Sequence, residues 1–201
     1  MPPLFADPPI AVAPNVWLLR AFIDTAPLAQ DIQKIAAVAP FRHMHVPGGQ
    51  SMSVAMTNCG ALGWTADAAG YRYSATDPTT LKPWPKLPPS WQTLAQDAAA
   101  LAGWPSFVPD ACLVNRYELG ARMGLHQDKN ERDFLQPIVS VSIGAPCSFQ
   151  IGGVNRQDTV KSIALCDGDV LVWGGSARLV FHRVRPLKQG LRYNLTFRAA
   201  G

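Results

Sequence analysis

His126 and Asp128 stand two positions apart in GLHQDKNERD, residues 124–133. In an extended strand the side chains alternate between faces, so an H-x-D pair brings an imidazole and a carboxylate to one point, as a chelated metal needs. A polar strand edge running into a surface loop would use the same residue types, and the pair alone does not separate the two. A third donor is His182 in RLVFHRV, where it shares a strand face with Val180 and Val184. On that apolar face it is either a satisfied core histidine or a ligand. Two imidazoles and one carboxylate form the donor set that occupies one face of a non-heme Fe(II) ion and leaves the opposite positions open.

The last apolar run, LRYNLTFR, puts Arg192, Asn194, Thr196 and Arg198 on one face and Tyr193, Leu195 and Phe197 on the other. Arginines on an inward face are costly unless anions meet them, and a small dicarboxylate would answer that need through the planar guanidinium fork. A solvated edge strand is the alternative. Six residues of ideal strand put the two arginines about 20 Å apart. One small dicarboxylate does not span that, so the side chains must lean together or Arg198 must act partly through the iron ligands. Asn115 and Tyr117, two apart in ACLVNRY, offer further inward polar contacts.

These residues need a scaffold, and the pattern from Ala111 onward supplies one. Eight short runs separated by Gly, Asp and Pro (ACLVNRY, RMGLHQD, PIVSVSIG, CSFQIG, VKSIALC, DVLVWG, RLVFHRV and LRYNLTFR) predict a sandwich or jelly roll rather than a parallel α/β sheet. Two helices precede them. One starts at Thr25 and Pro27, carries Leu28, Ile32, Ile35 and Ala36 at helical spacing and stops at Pro40. The other runs from about Pro89 to Ala102 with Trp91, Leu94, Ala95, Ala98 and Leu101 as its stripe and Gly103 at its end. Residues 1–15, rich in Pro and Ala, read as an irregular lead-in, and VWLLRAFI follows at 16–23. Residues 41–87 show no long periodic element, although SMSVAMT alternates well enough for a strand, and a stretch this long and irregular reads as a lid or binding surface. The expected class is mainly β with flanking helices, α+β.

A chain of 201 residues, 48% of them hydrophobic and 16% charged, suits one domain with a core of its own. The N-terminus lacks a basic start and apolar centre, and no apolar run is long enough for a membrane span, so a cytoplasmic protein with no membrane partner is expected. Cys59, Cys112, Cys147 and Cys166 form no C-x-x-C and are expected as reduced thiols. A net charge of +4 suits a polyanionic partner. His43 and His45 form another two-apart pair, but no glutamate follows at cupin spacing, and they read as polar strand residues.

With these residues in place the sequence resembles the AlkB-type Fe(II)/2-oxoglutarate-dependent dioxygenases, which repair alkylated nucleic acid. The matching pieces are PGG with SMSVAMTNCGALGW, PDACLVNRY, LHQDK, PIVSVSIG, DVLVWGG, the FH of RLVFHRV, and RYNLTFR, in family order from Pro47 to Arg198. The resemblance implies a double-stranded β-helix (jelly roll) with a nucleotide-recognition lid. One domain would span 1–201, with helices and lid in 1–110 and the catalytic core in 111–201. It further implies Fe(II) held by His126, Asp128 and His182, with 2-oxoglutarate and O2 as cosubstrates. Arg192 would meet the distal carboxylate of 2-oxoglutarate and Arg198 would sit near its metal-bound end, with Asn115, Tyr117 and Asn194 completing the pocket. Trp64 would stack on a flipped base, with Tyr71, Tyr73 and Arg156 near the base or its backbone. The implied reaction is oxidative demethylation of 1-methyladenine and 3-methylcytosine type lesions by a monomer. Single-stranded DNA is the preferred substrate, and double-stranded DNA and RNA are the alternatives. The sequence departs from the family in two places. Asn130 stands where the bacterial pattern HQDKD has a carboxylate near the base, and the turn between Gly190 and Arg192 is shorter than in some members. The rivals are the same chemistry on a protein or small molecule, and a non-enzymatic β-barrel module with a structural metal.

Overall fold

Strands dominate the computed structural model, which describes residues 7–201. The N-terminal half contains β1 (Ile10–Ala13), β2 (Val16–Leu19), α1 (Ala26–Val38), β3 (Arg42–His45), β4 (Ser51–Gly60), β5 (Gly63–Asp67), β6 (Gly70–Ser74) and α2 (Pro89–Leu101). The C-terminal half contains β7 (Ala111–Tyr117), β8 (Met123–His126), β9 (Ile138–Gly144), β10 (Cys147–Ile151), β11 (Lys161–Leu165), β12 (Val170–Trp173), β13 (His182–Val184) and β14 (Arg192–Arg198). The eight strands expected after Ala111 are all present.

They divide between two antiparallel sheets. The larger has the order β1-β2-β12-β9-β14-β7-β4-β3, the smaller the order β11-β10-β13-β8, and β5-β6 form a separate hairpin. Alternation along the large sheet builds two cores. Val114, Val139, Val141, Leu195 and Phe197 face outward and are covered by Leu28, Ile32 and Ile35 of α1 and Trp91, Leu94, Ala95 and Ala98 of α2. Leu113, Ile138, Leu171 and Trp173 face inward and meet Phe149, Ile151, Ile163 and Leu165 of the small sheet. The site lies on this inner side because β14 is flanked by β7 and β9, with Asn194 opposite both Asn115 and Ser142.

The structure corrects several expectations. Part of the lead-in is strand β1, which pairs with β2; residues 1–6 of it lie outside the described residues. The Thr25 hydroxyl does not cap α1 but donates to Asp167, and the Asp24 carboxylate accepts the Ala26 N–H instead. Leu101 is 47% exposed, and Ala99 takes its place in the core. The supposedly irregular stretch 41–87 holds four strands, and β1 to β4 join the large sheet beside the C-terminal ones. Among the described residues no helix is long and apolar enough to cross a membrane.

Candidate active site

Strand β8 ends at His126, so Asp128 lies in the following loop rather than two places along the same strand. Strand alternation therefore does not bring the pair together, and loop contacts do. Gln127 Nε2 donates to the Leu179 carbonyl at 2.5 Å, and Arg178 Nη1 donates to the Asp128 carbonyl at 2.8 Å. His182 opens β13 directly opposite His126 in the ladder. The donor atoms of His126, Asp128 and His182 lie within 4.8 Å of one another. His126 Nε2 is 3.6 Å from Asp128 Oδ1, and His182 Nε2 is 3.9 Å from Oδ2.

Both rings are oriented by their own chain. His126 Nδ1 bonds the Gly124 carbonyl at 2.7 Å and His182 Nδ1 bonds the Val180 carbonyl at 3.1 Å. A carbonyl only accepts, so each Nδ1 carries a proton, and Nε2 is the ring nitrogen left to face a metal. Burial, with His126 alongside, pushes the His182 pKa down to about 4, which keeps that imidazole neutral. Burial alone would raise the Asp128 pKa, but Arg198 and the two imidazoles outweigh it and hold the carboxyl well below the usual range. A neutral imidazole at His182 and a carboxylate at Asp128 are forms that a divalent ion binds.

The two arginines of β14 are placed differently. Arg198 Nη2 donates to Asp128 Oδ2 at 2.6 Å, and its Nε lies 3.1 Å from Glu131 Oε1. Arg198 is thus bonded to Asp128, a member of the donor set, which fits one of the two solutions its distance from Arg192 allowed. Arg192 is 1% exposed, and its Nη2 donates to Ser142 Oγ at 2.9 Å. Its Nε and Nη1 have no partner among the described residues, so a buried cation here requires an anion, which fits the distal carboxylate of a dicarboxylate. Asn194 bonds Ser140 and the Val141 carbonyl and accepts from Asn115, whose Oδ1 is free to accept from a ligand. Burial raises the Tyr117 hydroxyl pKa and keeps it protonated as a donor.

Every residue expected to hold iron, cosubstrate or base, except Arg192 and Tyr73, lines one cavity of about 500 Å³. On one side of it, the β5-β6 hairpin carries Trp64 and Tyr71, whose rings stack at 5.6 Å and 14°. The Trp64 indole N–H donates to Asn130 Oδ1 at 3.2 Å. An aspartate could accept the same bond, so the family departure at Asn130 removes charge and not the indole contact. Arg156 Nη1 donates to the Leu125 carbonyl at 3.1 Å. Tyr73 does not reach the cavity: its hydroxyl donates to Glu131 at 2.6 Å. His43 and His45 are exposed on the edge strand β3, and the His43 Nδ1–H donates to Met52.

Glu131 and Arg178 are the residues sequence reasoning missed. Glu131 accepts from Tyr73 and pairs with Arg178 at 3.0 Å and with Arg198, so one buried carboxylate ties the loop after β8 to the hairpin and to β14. Nothing in the local sequence marks it, because Arg178 lies 47 positions away.

Comparison with known proteins matches residues 15–198 to the 2OG-Fe(II) oxygenase superfamily. The chain is 52% identical to the alpha-ketoglutarate-dependent dioxygenase AlkB of Escherichia coli (strain K12), across 98% of this chain and 97% of that one. It is 38% identical to the DNA N(6)-methyladenine demethylase ALKBH1C of Arabidopsis thaliana, across 47% of this chain and 25% of that one. The solved structure of OsALKBH1 superposes with a TM-score of 0.84 at 28% identity, across 95% of this chain and 99% of that one.

Proposed function

The chain belongs to the 2OG-Fe(II) oxygenase superfamily, in its AlkB family, and we propose that it removes methyl groups from ring nitrogens of damaged bases in nucleic acid. It is an Fe(II)/2-oxoglutarate-dependent dioxygenase. One observation carries the substrate assignment: the donors for iron and the Trp64–Tyr71 stack line the same cavity. A protein or small-molecule hydroxylase has no need of an aromatic platform there, whereas an extruded base does.

When bound by His126, Asp128 and His182, iron with 2-oxoglutarate and O2 supplies hydroxylation of the N-methyl carbon, after which formaldehyde leaves, the base is restored, and succinate and CO2 are released. Arg192 meets the distal carboxylate of 2-oxoglutarate with its two free nitrogens, while Asn115 and Tyr117 offer an acceptor and a donor along the pocket. Arg198 holds the Asp128 carboxylate in place and in its charged form. Trp64, fixed by Asn130, presents its indole to the base, and Tyr71 and Arg156 line the same cavity beside it.

The preferred lesions are of the 1-methyladenine and 3-methylcytosine type, in single-stranded DNA first and in RNA or duplex DNA second, because extrusion costs a few kcal/mol of unstacking that a single strand largely avoids. A cytoplasmic monomer suffices for this reaction. The test is incubation with Fe(II), 2-oxoglutarate and methylated oligonucleotides, followed by formaldehyde assay and mass spectrometry of the bases. Formaldehyde in step with restored base is expected. Succinate formation without base repair, across both lesions and both nucleic acids, would sink the substrate assignment and leave the reaction class standing.

A further inference from the structure

On the basis of that reading, we propose that a groove beside β8 is a phosphodiester-binding site that holds the nucleic-acid backbone outside the catalytic cavity. The groove, about 360 Å³, is bounded by β8, by β13 and by the chain as far as Pro186. Three arginines line it: Arg122 just before β8, Arg183 in β13 and Arg185 just after it, and its lining holds no acidic residue. Among the described residues none of the three pairs with a carboxylate, whereas Arg20, Arg42, Arg72, Arg116, Arg178 and Arg198 all do. Arg122 and Arg185 are exposed; Arg183 is steadied by its Nε–H, which donates to Gln150 Oε1 at 2.6 Å and leaves its two terminal nitrogens for another ligand. The Arg122 backbone is itself pinned, exchanging hydrogen bonds of 3.0 Å with the Ser53 hydroxyl.

The position of the groove identifies the ligand. Met123, Gly124, Leu125 and Val184 line both the groove and the catalytic cavity, so the two adjoin along β8 and β13. Strand β8 is the outermost strand of the small sheet, and a Cβ built at Gly124 would meet nothing within 4 Å, so its backbone is open to close approach. On the cavity side Arg156 rests on Leu125, which continues the positive track across the strand. A polyanion that places one unit in the cavity and runs on over β8 would meet these guanidiniums in succession. Arginine forks bind phosphate oxygens bidentately, and such contacts fix register and affinity without reading sequence. The phosphates belong either to the lesion-bearing strand or to its complement.

The test uses the triple variant Arg122→Ala/Arg183→Ala/Arg185→Ala and the matching triple lysine variant. Binding of an unmodified single strand of about 15 nucleotides, followed by fluorescence anisotropy at several salt concentrations, reads the groove without requiring turnover. The alanine variant is expected to bind about tenfold more weakly at low salt. Its slope of log affinity against log salt should be shallower by about 2, close to 0.7 for each phosphate that is no longer neutralised, while the lysine variant keeps most of the slope. A methylated trinucleotide, too short to reach across β8, should turn over alike in wild type and both variants. With single-stranded and duplex 15-mers side by side, a loss in both assigns the groove to the lesion strand and a loss in the duplex alone assigns it to the complement. Unchanged affinity and slope with both substrates would overturn the proposal. Failure of wild type on the trinucleotide would count against the demethylase reading alone, because the anisotropy measurement stands without it.

Discussion

Arg192 and Arg198 leave β14 on one face, and their partners separate their tasks. Arg192 has two buried nitrogens without protein partners, so Arg192→Ala is expected to raise KM for 2-oxoglutarate by a factor of about 100 or more, the loss of a buried charge pair costing several kcal/mol. Arg192→Lys should recover only part, because a point charge replaces a fork. Arg198 is held by Asp128 and Glu131, so Arg198→Ala should lower kcat more than it raises that KM. Steady-state kinetics against 2-oxoglutarate checks both, and normal cosubstrate affinity in Arg192→Ala would reverse the roles. Alanine at His126, Asp128 or His182 should abolish turnover and iron retention, measured by metal analysis, with the circular dichroism of the folded protein preserved. Of these residues, the donor types of the triad and the inward place of Arg192 were legible in the sequence, although a loop and not strand spacing brings Asp128 to His126. Glu131 was not, since its importance comes from three partners gathered from distant parts of the chain.

At the scale of elements, the turn that follows the β5-β6 hairpin is tied to β3 by a partly buried ion pair. Arg42 Nη1 donates to Asp77 Oδ2 at 2.9 Å and Nη2 lies 2.8 Å from Oδ1, while Asp77 also accepts the Thr79 N–H. Burial alone would raise the Asp77 pKa, but Arg42 and these backbone donors bring it below the ordinary value. The stability it contributes is therefore present above about pH 4, the unfolded carboxylate value, and is lost as pH falls through the lowered folded value. Amide-exchange protection over residues 75–82, corrected for intrinsic rates, should fall in acid, and Asp77→Asn should lower it at neutral pH and flatten the dependence. On the hairpin itself, Trp64→Ala should raise KM for a methylated oligonucleotide by about 5- to 150-fold, base stacking being worth about 1 to 3 kcal/mol. An unchanged KM would move the base elsewhere. The sequence concealed this region because β4 is covered on both faces: six successive residues from Val54 to Cys59 are buried, among them Thr57 and Asn58, so the apolar–polar alternation that marks a half-exposed strand is absent. Downstream the alternation of β14 survives because its inner face carries the site's own polar residues.

For the molecule as a whole, the helix layer and the catalytic face share one sheet, so stability and activity can be separated by side. Phe197 is fully buried on the helix side, edge-to-face with Trp91 at 6.3 Å, while its neighbours Thr196 and Arg198 face the cavity. Phe197→Ala should cost about 3–5 kcal/mol in chemical denaturation. A cost below about 1 kcal/mol would show that the helices do not depend on this packing. The jelly-roll class was legible because eight short runs with turn residues follow two helical stripes. The end of β8 at His126 was not, because the charged run after it forms neither strand nor helix and takes its path from Arg178 and Gln127, both bonded to distant segments.

The bonds from each histidine Nδ1 to a carbonyl two residues back have a further consequence. Orientation that depends only on the local backbone is in place before any ion arrives, so little rotamer entropy remains to be lost when one does. The donor types themselves do not single out iron. Two imidazoles and a carboxylate bind cobalt, nickel or zinc at least as tightly as ferrous iron under the Irving–Williams order. A site of this composition would therefore take whichever of these ions is free in excess, with loss of the iron-dependent activity as the expected consequence.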